Sequence, residues 1–310
     1  MSIHTIDCHY LGQPGIAAAF LMLEGDQAAF IETNTSYAIP ALLESLASHG
    51  LSPEDVAYII VTHIHLDHAG GAGQLLAKCP NATLLAHPRA APHAVDPSRL
   101  IASARQVYGD AVFDSLYGTI LPAPAERVRA MDDEQTLVFG TRTLRFLHTR
   151  GHANHHMVIH DSATNTVFTG DSFGIGYPIC KGWLFPSTSP TDFDAKAACA
   201  SVDRIVATGA EAVWLTHTGR VANPSSHADA LKAAIQWHQQ VLVQAEDRDL
   251  HGEALDRFCA DRVGRWFDEQ LALRGLGPKA AEAVTIDRKL NAQGIAAAIA
   301  KRRYKRSKGV

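Results

Sequence analysis

Three histidines and one aspartate fall within six positions of the chain, in the stretch THIHLDHAGG that begins at Thr62. These side chains are His63, His65, Asp67 and His68. Imidazoles and carboxylates at this density are costly to bury unless another group pairs with them. Imidazole nitrogen and carboxylate oxygen are also the atoms with which proteins bind zinc and related divalent ions. The run therefore predicts a metal site.

Three further side chains that can bind a metal follow apolar stretches elsewhere in the chain. His152 lies in TRGHANHH, Asp171 follows TVFTG, and His217 follows AVWLT. Each comes after a predicted buried strand, and open α/β sheets place their binding sites at the carboxyl ends of strands. We therefore expect these residues to join the histidine run in one site.

Seven ligands are more than one tetrahedral ion uses, so the set predicts two divalent ions. It divides into three ligands for each ion and one that spans both: His63, His65 and His152; Asp67, His68 and His217; and Asp171. Two ions about 3.5–4 Å apart can share a water as hydroxide near neutral pH. Zinc is the expected metal, and iron or manganese would fit the same ligand types.

The elements that must position these residues can be read from the apolar pattern. Strands are predicted at 17–24, 28–33, 56–62, 83–87 and 212–216, with a run of antiparallel pairs over 137–170. Helices are predicted at 39–49, 73–78 and 191–208, and residues 88–126 are expected to form a helical or looped insertion. Every long segment from 226 onward has a helical pattern. The pattern favours an α/β fold, with a catalytic domain at 1–225 and a helical region at 226–310.

Composition excludes several classes of function. The 310-residue chain has a net charge of −4 and no apolar stretch of the length needed to cross a membrane. The amino terminus lacks the pattern of a secretory signal. Its five cysteines are scattered without a CxxC pair, which indicates reduced thiols in a cytoplasmic protein. The basic run at 301–308 is interpreted as a solvated helix end, so nucleic acid is not the expected partner.

The motifs THIHLDHAGG, GHANHH, FTGDS and LTHTG resemble, in order, those of the metallo-β-lactamase superfamily. The resemblance covers roughly residues 15–220. It implies an αββα sandwich with the site at one edge between two sheets, and the seven residues above as metal ligands. It also implies that Asp67 handles the proton of the attacking water.

The predicted activity is that of a dinuclear metal-dependent hydrolase, in which a metal-bridged hydroxide attacks an ester-like carbonyl of a small-molecule substrate. Thioesters and esters fit best, because the motifs and helical carboxyl-terminal portion are similar to those of glyoxalase II. Lactones are the next candidate, because N-acyl-homoserine lactonases share the first motif, although they carry a tyrosine where this chain has Gly174. An iron-dependent persulfide dioxygenase is the alternative from another class, and β-lactams, phosphodiesters and a non-catalytic relic are disfavoured.

Several features stay open on sequence alone. His155 and His156 could orient a ligand or lie at the surface, and His148 is expected in the core or in contact with a metal ligand. Tyr177 and Trp183 could line a pocket or simply pack. The carboxyl-terminal helices could cap the site, join two subunits as a homodimer, or pack only on their own chain.

Overall fold

The computed structural model describes residues 2–217 and 219–308. Thr218 of the LTHTG motif lies outside the described residues. The described residues fall into two compact units. The first lies within Met1–His148, His155–Gly170 and Thr208–Asn223, and the second within Thr149–Asn154, Asp171–Ala207 and Pro224–Val310. The predicted domain boundary after residue 225 stays a prediction.

The first unit contains two six-stranded sheets. The strands of the first sheet, in spatial order, are β1 (Ser2–Asp7), β2 (Ala18–Glu24), β3 (Gln27–Ile31), β4 (Val56–Ile60), β5 (Thr83–Ala86) and β6 (Val128–Ala130). The second sheet contains β7 (Thr136–Phe139), β8 (Arg142–His148), β9 (Met157–Asp161), β10 (Thr166–Gly170), β11 (Ala212–Leu215) and β12 (Gly219–Ala222), in the spatial order β12-β11-β10-β9-β8-β7. Both sheets are mixed: β3 to β6 run parallel, as do β10 and β11, and the other neighbours are antiparallel.

Apolar side chains from facing sheets form one buried core. Phe20 of β2 contacts Phe168 of β10 and Trp214 of β11, with ring centroids 5.3 and 5.4 Å apart. Alternate residues of β2 and β3 point the other way, into a second core beneath helices of the same unit. A sheet buried on both faces must be apolar on both, which explains the nearly continuous apolar runs in β2, β3 and β4.

The helices of each unit complete the architecture. The first unit has α1 (Ile39–Ser48), α2 (Leu66–Ala69), α3 (Ala72–Lys78), α4 (Ala91–Val95), α5 (Ser98–Tyr108) and α6 (Asp110–Tyr117). The second has α7 (Ala195–Val206), α8 (Ser225–Asp247), α9 (Gly252–Leu273), α10 (Pro278–Ala283) and α11 (Thr285–Lys308). The α/β class and the helical carboxyl-terminal region are thus confirmed.

The sequence pattern missed three strands, β1, β6 and β12. The last two have three and four residues, too few for alternation to stand out. The 88–126 insertion forms α4 to α6, and the predicted antiparallel run over 137–170 is confirmed as β7 to β10. Within the described residues, no helix is long and apolar enough to cross a membrane.

Candidate metal centre

The loop after β4 carries the first two predicted ligands. His63 is fully buried and its Nε2 lies 3.0 Å from Nδ1 of His65. The other ring nitrogen of His63 lies 3.1 Å from the Thr62 hydroxyl. The Thr62 backbone N–H donates to Oε1 of Glu32 at 2.9 Å, which ties this loop to the end of β3. The buried carboxylate of Glu32 therefore fixes the backbone of the turn that carries the two imidazoles.

Glu32 also orients a third predicted ligand. The Nδ1–H of His68 donates to Oε2 of Glu32 at 2.9 Å, and both side chains are buried. A carboxylate acceptor fixes the proton on Nδ1, so Nε2 carries the lone pair of the neutral imidazole. Glu32 adopts a left-handed backbone conformation with φ +65°, which is uncommon for a residue with a side chain. Such strain persists where the surrounding structure over-determines the residue.

His217 is anchored in the same way at the end of β11. Its Nδ1–H donates to the backbone carbonyl of Ile16 at 2.8 Å. Because a carbonyl can only accept, the Nε2 of His217 is again the ring atom that can bind a metal. This Nε2 lies 3.5 Å from Oδ2 of Asp67, and the Nε2 of His68 lies 3.8 Å from the same oxygen. Two imidazoles therefore face one carboxylate.

The donor set of Asp67, His68 and His217 fits a divalent ion. Ligand atoms of these residues all lie within 4.8 Å of one another. Ligands bound at about 2.1 Å to one tetrahedral ion stand roughly 3.4 Å apart, close to the separations measured here. Asp67 is 27% exposed, whereas both imidazoles are buried. The carboxylate thus remains within reach of solvent water.

The second unit contains the other two predicted ligands, His152 and Asp171. The Nε2 of His152 lies 3.6 Å from Oδ2 of Asp171, and both residues are buried. The Nδ1–H of His152 donates to the Ser187 carbonyl at 3.1 Å, which again leaves Nε2 as the metal-binding nitrogen. The structure therefore brings these two residues together, as it brings together Asp67, His68 and His217 in the first unit. The ligand role of the seven residues stays a prediction.

The carboxyl-terminal helix α11 holds the segment that orients His152. Asn291 accepts the Thr188 N–H at 2.7 Å and donates to the Pro186 carbonyl at 2.9 Å. These bonds flank Ser187, the residue whose carbonyl receives the His152 proton. At Gly294 a Cβ would lie 1.5 Å from the Thr188 carbonyl oxygen, so only glycine permits this contact. Residues of α11, more than a hundred positions along the chain from Thr188, thus support the candidate ligand His152.

Of the open histidines, two lie beside the histidine run. His156 is buried, with its ring centroid 4.7 Å from that of His63. His155 accepts the Ile64 N–H through Nδ1 at 3.5 Å. His148 lies elsewhere in the first unit: it donates to the Met131 carbonyl at 2.9 Å, and its ring centroid lies 4.0 Å from that of His87. Only the first two can influence the predicted ligands.

Glu32, Ser187 and Asn291 were not identified from the sequence. A single Glu32 after a strand has no distinctive spacing, although its place in FIET at the end of β3 is a weak signal. The Ser187 contribution comes from its backbone, which no side-chain pattern reveals. Tyr177 is buried and donates to Asp287 at 3.0 Å. The packing interpretation therefore accounts for Tyr177.

The helical insertion packs beside the ligand run. Phe113 and Tyr117 of α6 bury Leu66, the residue directly before Asp67. Burial raises the pKa of the Tyr117 phenol, and negative charges including that of Asp67 act in the same direction. Tyr117 is therefore a neutral hydroxyl at physiological pH. The insertion forms an apolar wall on this side of the loop.

The basic carboxyl-terminal run is largely paired within its own unit. Arg302 and Arg306 lie 3.4 Å from the two carboxylate oxygens of Glu246, and Lys301 pairs with Asp192. Arg303 donates to the Leu250 carbonyl at 2.7 Å. These contacts fit the interpretation of the run as a helix end, and the expectation that nucleic acid is not a partner stays a prediction.

Comparisons with known proteins place these observations in context. The family model described as the metallo-beta-lactamase superfamily matches residues 12–232. The metallo-beta-lactamase fold-containing protein ST1585 of Sulfurisphaera tokodaii is 25% identical over 257 residues, which cover 82% of this chain and 91% of that protein.

Two solved structures resemble the chain over nearly its whole length. The crystal structure of ST1585, from Sulfolobus tokodaii, superposes with a TM-score of 0.64 at 22% identity, covering 95% of this chain and 98% of that one. The structure of the metallo-beta-lactamase family protein TTHA1429 from Thermus thermophilus gives 0.65 at 18% identity, covering 99% and 94%. At these identities the likeness is one of fold, and it extends through the carboxyl-terminal helices.

Proposed function

Because the chain belongs to the metallo-β-lactamase superfamily, we propose that it is a dinuclear metal-dependent hydrolase of small ester-like substrates. The αββα sandwich implied by the resemblance and the helical carboxyl-terminal region predicted from the apolar pattern are both confirmed. The family consists generally of hydrolases, and the cluster of histidine and aspartate side chains is compatible with metal binding.

One observation carries the proposal. Asp67, His68 and His217 place three ligand atoms within 4.8 Å of one another, with each imidazole fixed through its far nitrogen. Fixing Nδ1–H on an acceptor prepares Nε2 as a ligand before any ion arrives. Histidines that merely pack have no need of this arrangement three times, as it also occurs at His152.

The residues would divide the work as follows. One ion would be held by His63, His65 and His152. The other ion would be held by Asp67, His68 and His217, and Asp171 would contribute to both. Two divalent ions, when bound, would lower the pKa of a water and supply positive charge for the carbonyl oxygen of the substrate. The partly exposed carboxylate of Asp67 would orient the attacking water and accept its proton. The pairs formed by Glu32 and Ser187 would keep the imidazoles aligned.

Thioesters and esters remain the favoured substrates, and Gly174 argues against the lactonase type. Gly174 has φ +81°, and a Cβ there would lie 2.9 Å from Cδ1 of Leu231 and from the Phe185 carbonyl oxygen. A tyrosine at this position would need both neighbours to move. The tyrosine that marks those lactonases therefore has no room in this chain.

Metal content and substrate screening test the proposal together. The purified full-length protein would be analysed for zinc, iron and manganese, then loaded with each. Thioesters, aryl esters, lactones, β-lactams and phosphodiesters would be assayed, along with oxygen consumption on a glutathione persulfide. We expect two ions per chain and hydrolysis of a thioester or ester. His65→Ala should abolish the activity, and His160→Ala, a half-buried histidine hydrogen-bonded to Asn165, serves as its control.

The outcomes separate the candidate functions. Hydrolysis of lactones alone would favour a lactonase, and oxygen consumption with iron would favour the oxidoreductase. A folded protein that binds no metal after reconstitution would overturn the proposal.

A further inference from the structure

The second unit contains a cavity of about 380 Å³ that the proposed chemistry does not use. It lies between a turn that follows Asp171 in the chain and the helices α8 and α9, and its walls include Lys181, Trp183, Leu231, Trp266, Gln270 and Arg274. A volume of this size falls in the range of small-molecule sites.

The inner wall of the cavity is aromatic and rigid. Trp183 and Trp266 are each 6% exposed, and their ring centroids lie 6.0 Å apart. Phe267 backs Trp183 at 5.7 Å, and Trp237 stacks on Trp266 at 5.4 Å. Buried indoles braced in this way offer a preformed apolar surface to a flat or aliphatic group. The wall therefore suits the apolar body of a ligand.

The outer rim is positively charged. Lys181 and Arg274 are exposed at the edge of the cavity, and no carboxylate is among its lining residues in the described part of the chain. The guanidinium of Arg274 lies 5.1 Å from the Trp183 ring centroid and donates to Oε1 of Gln270 at 2.8 Å. These contacts hold the cation in place without neutralising it. The rim suits an anion.

One residue joins this cavity to the candidate ligands of the same unit. A smaller cavity, with room for about one water, is lined by His152, Asp171 and Leu231. Leu231 also lines the larger cavity, so its side chain is the wall that both share. Because Gly174 has no side chain, Leu231 can approach the backbone there. The larger cavity therefore lies next to the space lined by His152 and Asp171, with Leu231 between them.

We propose that the larger cavity binds the anionic end of the substrate, an oxyanion such as carboxylate or phosphate carried on an aromatic or aliphatic body. The body lies against Trp183 and Trp266, and the oxyanion pairs with Arg274 and Lys181. The identification of this ligand as the substrate rests on the proposed hydrolase function. The binding site itself stands on the cavity alone.

Calorimetric titration of the full-length protein tests the inference directly. The probes are phenylacetate, phenyl phosphate and the uncharged phenylacetamide. We expect each anion that fits to bind about tenfold more tightly than the amide, the value of one charge-assisted hydrogen bond. Phenylacetate and phenyl phosphate are titrated separately, and the one with the higher affinity identifies the oxyanion that the cavity prefers.

Matched variants locate the binding. Arg274→Gln and, independently, Lys181→Gln should reduce anion affinity by about tenfold and leave the amide unchanged. Arg257→Gln removes an exposed charge from α9, the helix that ends directly before Arg274, and should change neither affinity. Trp183→Leu should weaken all three probes.

Failure of the inference can be told from failure of the proposed function. Equal affinity for anions and amide, or anion binding lost in His65→Ala but kept in both rim variants, would overturn the cavity assignment even if esters are hydrolysed. Binding as expected in a protein that hydrolyses nothing would support the site and overturn the hydrolase.

Discussion

Substitution of Asn291 tests how far the carboxyl-terminal helix supports the candidate metal centre. The Asn291 side chain accepts the Thr188 N–H at 2.7 Å and donates to the Pro186 carbonyl at 2.9 Å. All three residues are buried. Asn291→Ala would leave one buried donor and one buried acceptor without a partner. It would also release the backbone on both sides of Ser187.

The size of the effect follows from these two bonds. Each of the two buried groups left unsatisfied costs about 1–3 kcal/mol, so the free energy of unfolding should fall by roughly 2–6 kcal/mol. For a chain of this size each kcal/mol lowers the melting temperature by roughly 2–4 °C. The Ser187 carbonyl orients His152, and loss of such support typically costs roughly 10–100-fold in metal affinity.

Two measurements on one variant separate stability from ligand positioning. Thermal unfolding gives the first effect, and chelator competition for zinc at a temperature where the variant is folded gives the second. Asn81→Ala is the matched control, since Asn81 is exposed and makes one hydrogen bond to the Glu54 carbonyl. An unchanged melting temperature would refute the hydrogen-bond argument. A lower melting temperature with unchanged zinc affinity would refute the link from α11 to His152.

Three further predictions follow from single side chains. Glu32→Gln should lower zinc affinity roughly 10–100-fold, because an amide cannot accept both N–H groups that the carboxylate now receives; equal affinity in a chelator competition would contradict this. Burial lowers the pKa of His238 to about 4, against 6.5 when unfolded, so the unfolded state binds the proton first as pH falls. The contribution of His238 to the free energy of unfolding should thus be complete above pH 6.5 and fall by about 3 kcal/mol toward pH 4. Urea titrations should show a smaller dependence on pH in His238→Gln; an identical dependence would count against this prediction. Gly174→Ala should destabilise the protein by about 1–3 kcal/mol in thermal unfolding, because φ there is +81° and the added Cβ would crowd Leu231 and Phe185; full stability would show that the backbone relaxes freely.

The predicted site residues depended on local information. HxHxDH places four polar side chains on one turn, and apolar runs before His152, Asp171 and His217 mark them as strand-end residues. Local spacing and apolar periodicity are properties of neighbouring residues, so they can be recognised without coordinates. Short edge strands such as β6 and β12 lack enough residues for a period, and they were missed for that reason.

The amino-acid sequence by itself determined the α/β class, the family motifs and the types of ligand available for a metal. Only the tertiary structure decided which ring nitrogen of His68, His152 and His217 is held by an acceptor and which is left to bind a metal. Those choices come from Glu32, the Ile16 carbonyl and the Ser187 carbonyl, which reach the histidines across 36, 201 and 35 positions of chain. Every residue has a backbone carbonyl, so the pattern of side chains does not predict which carbonyl will accept a hydrogen bond from a histidine. The same holds for the aromatic cavity, whose walls come from separate helices and a turn that become neighbours only when the chain is packed.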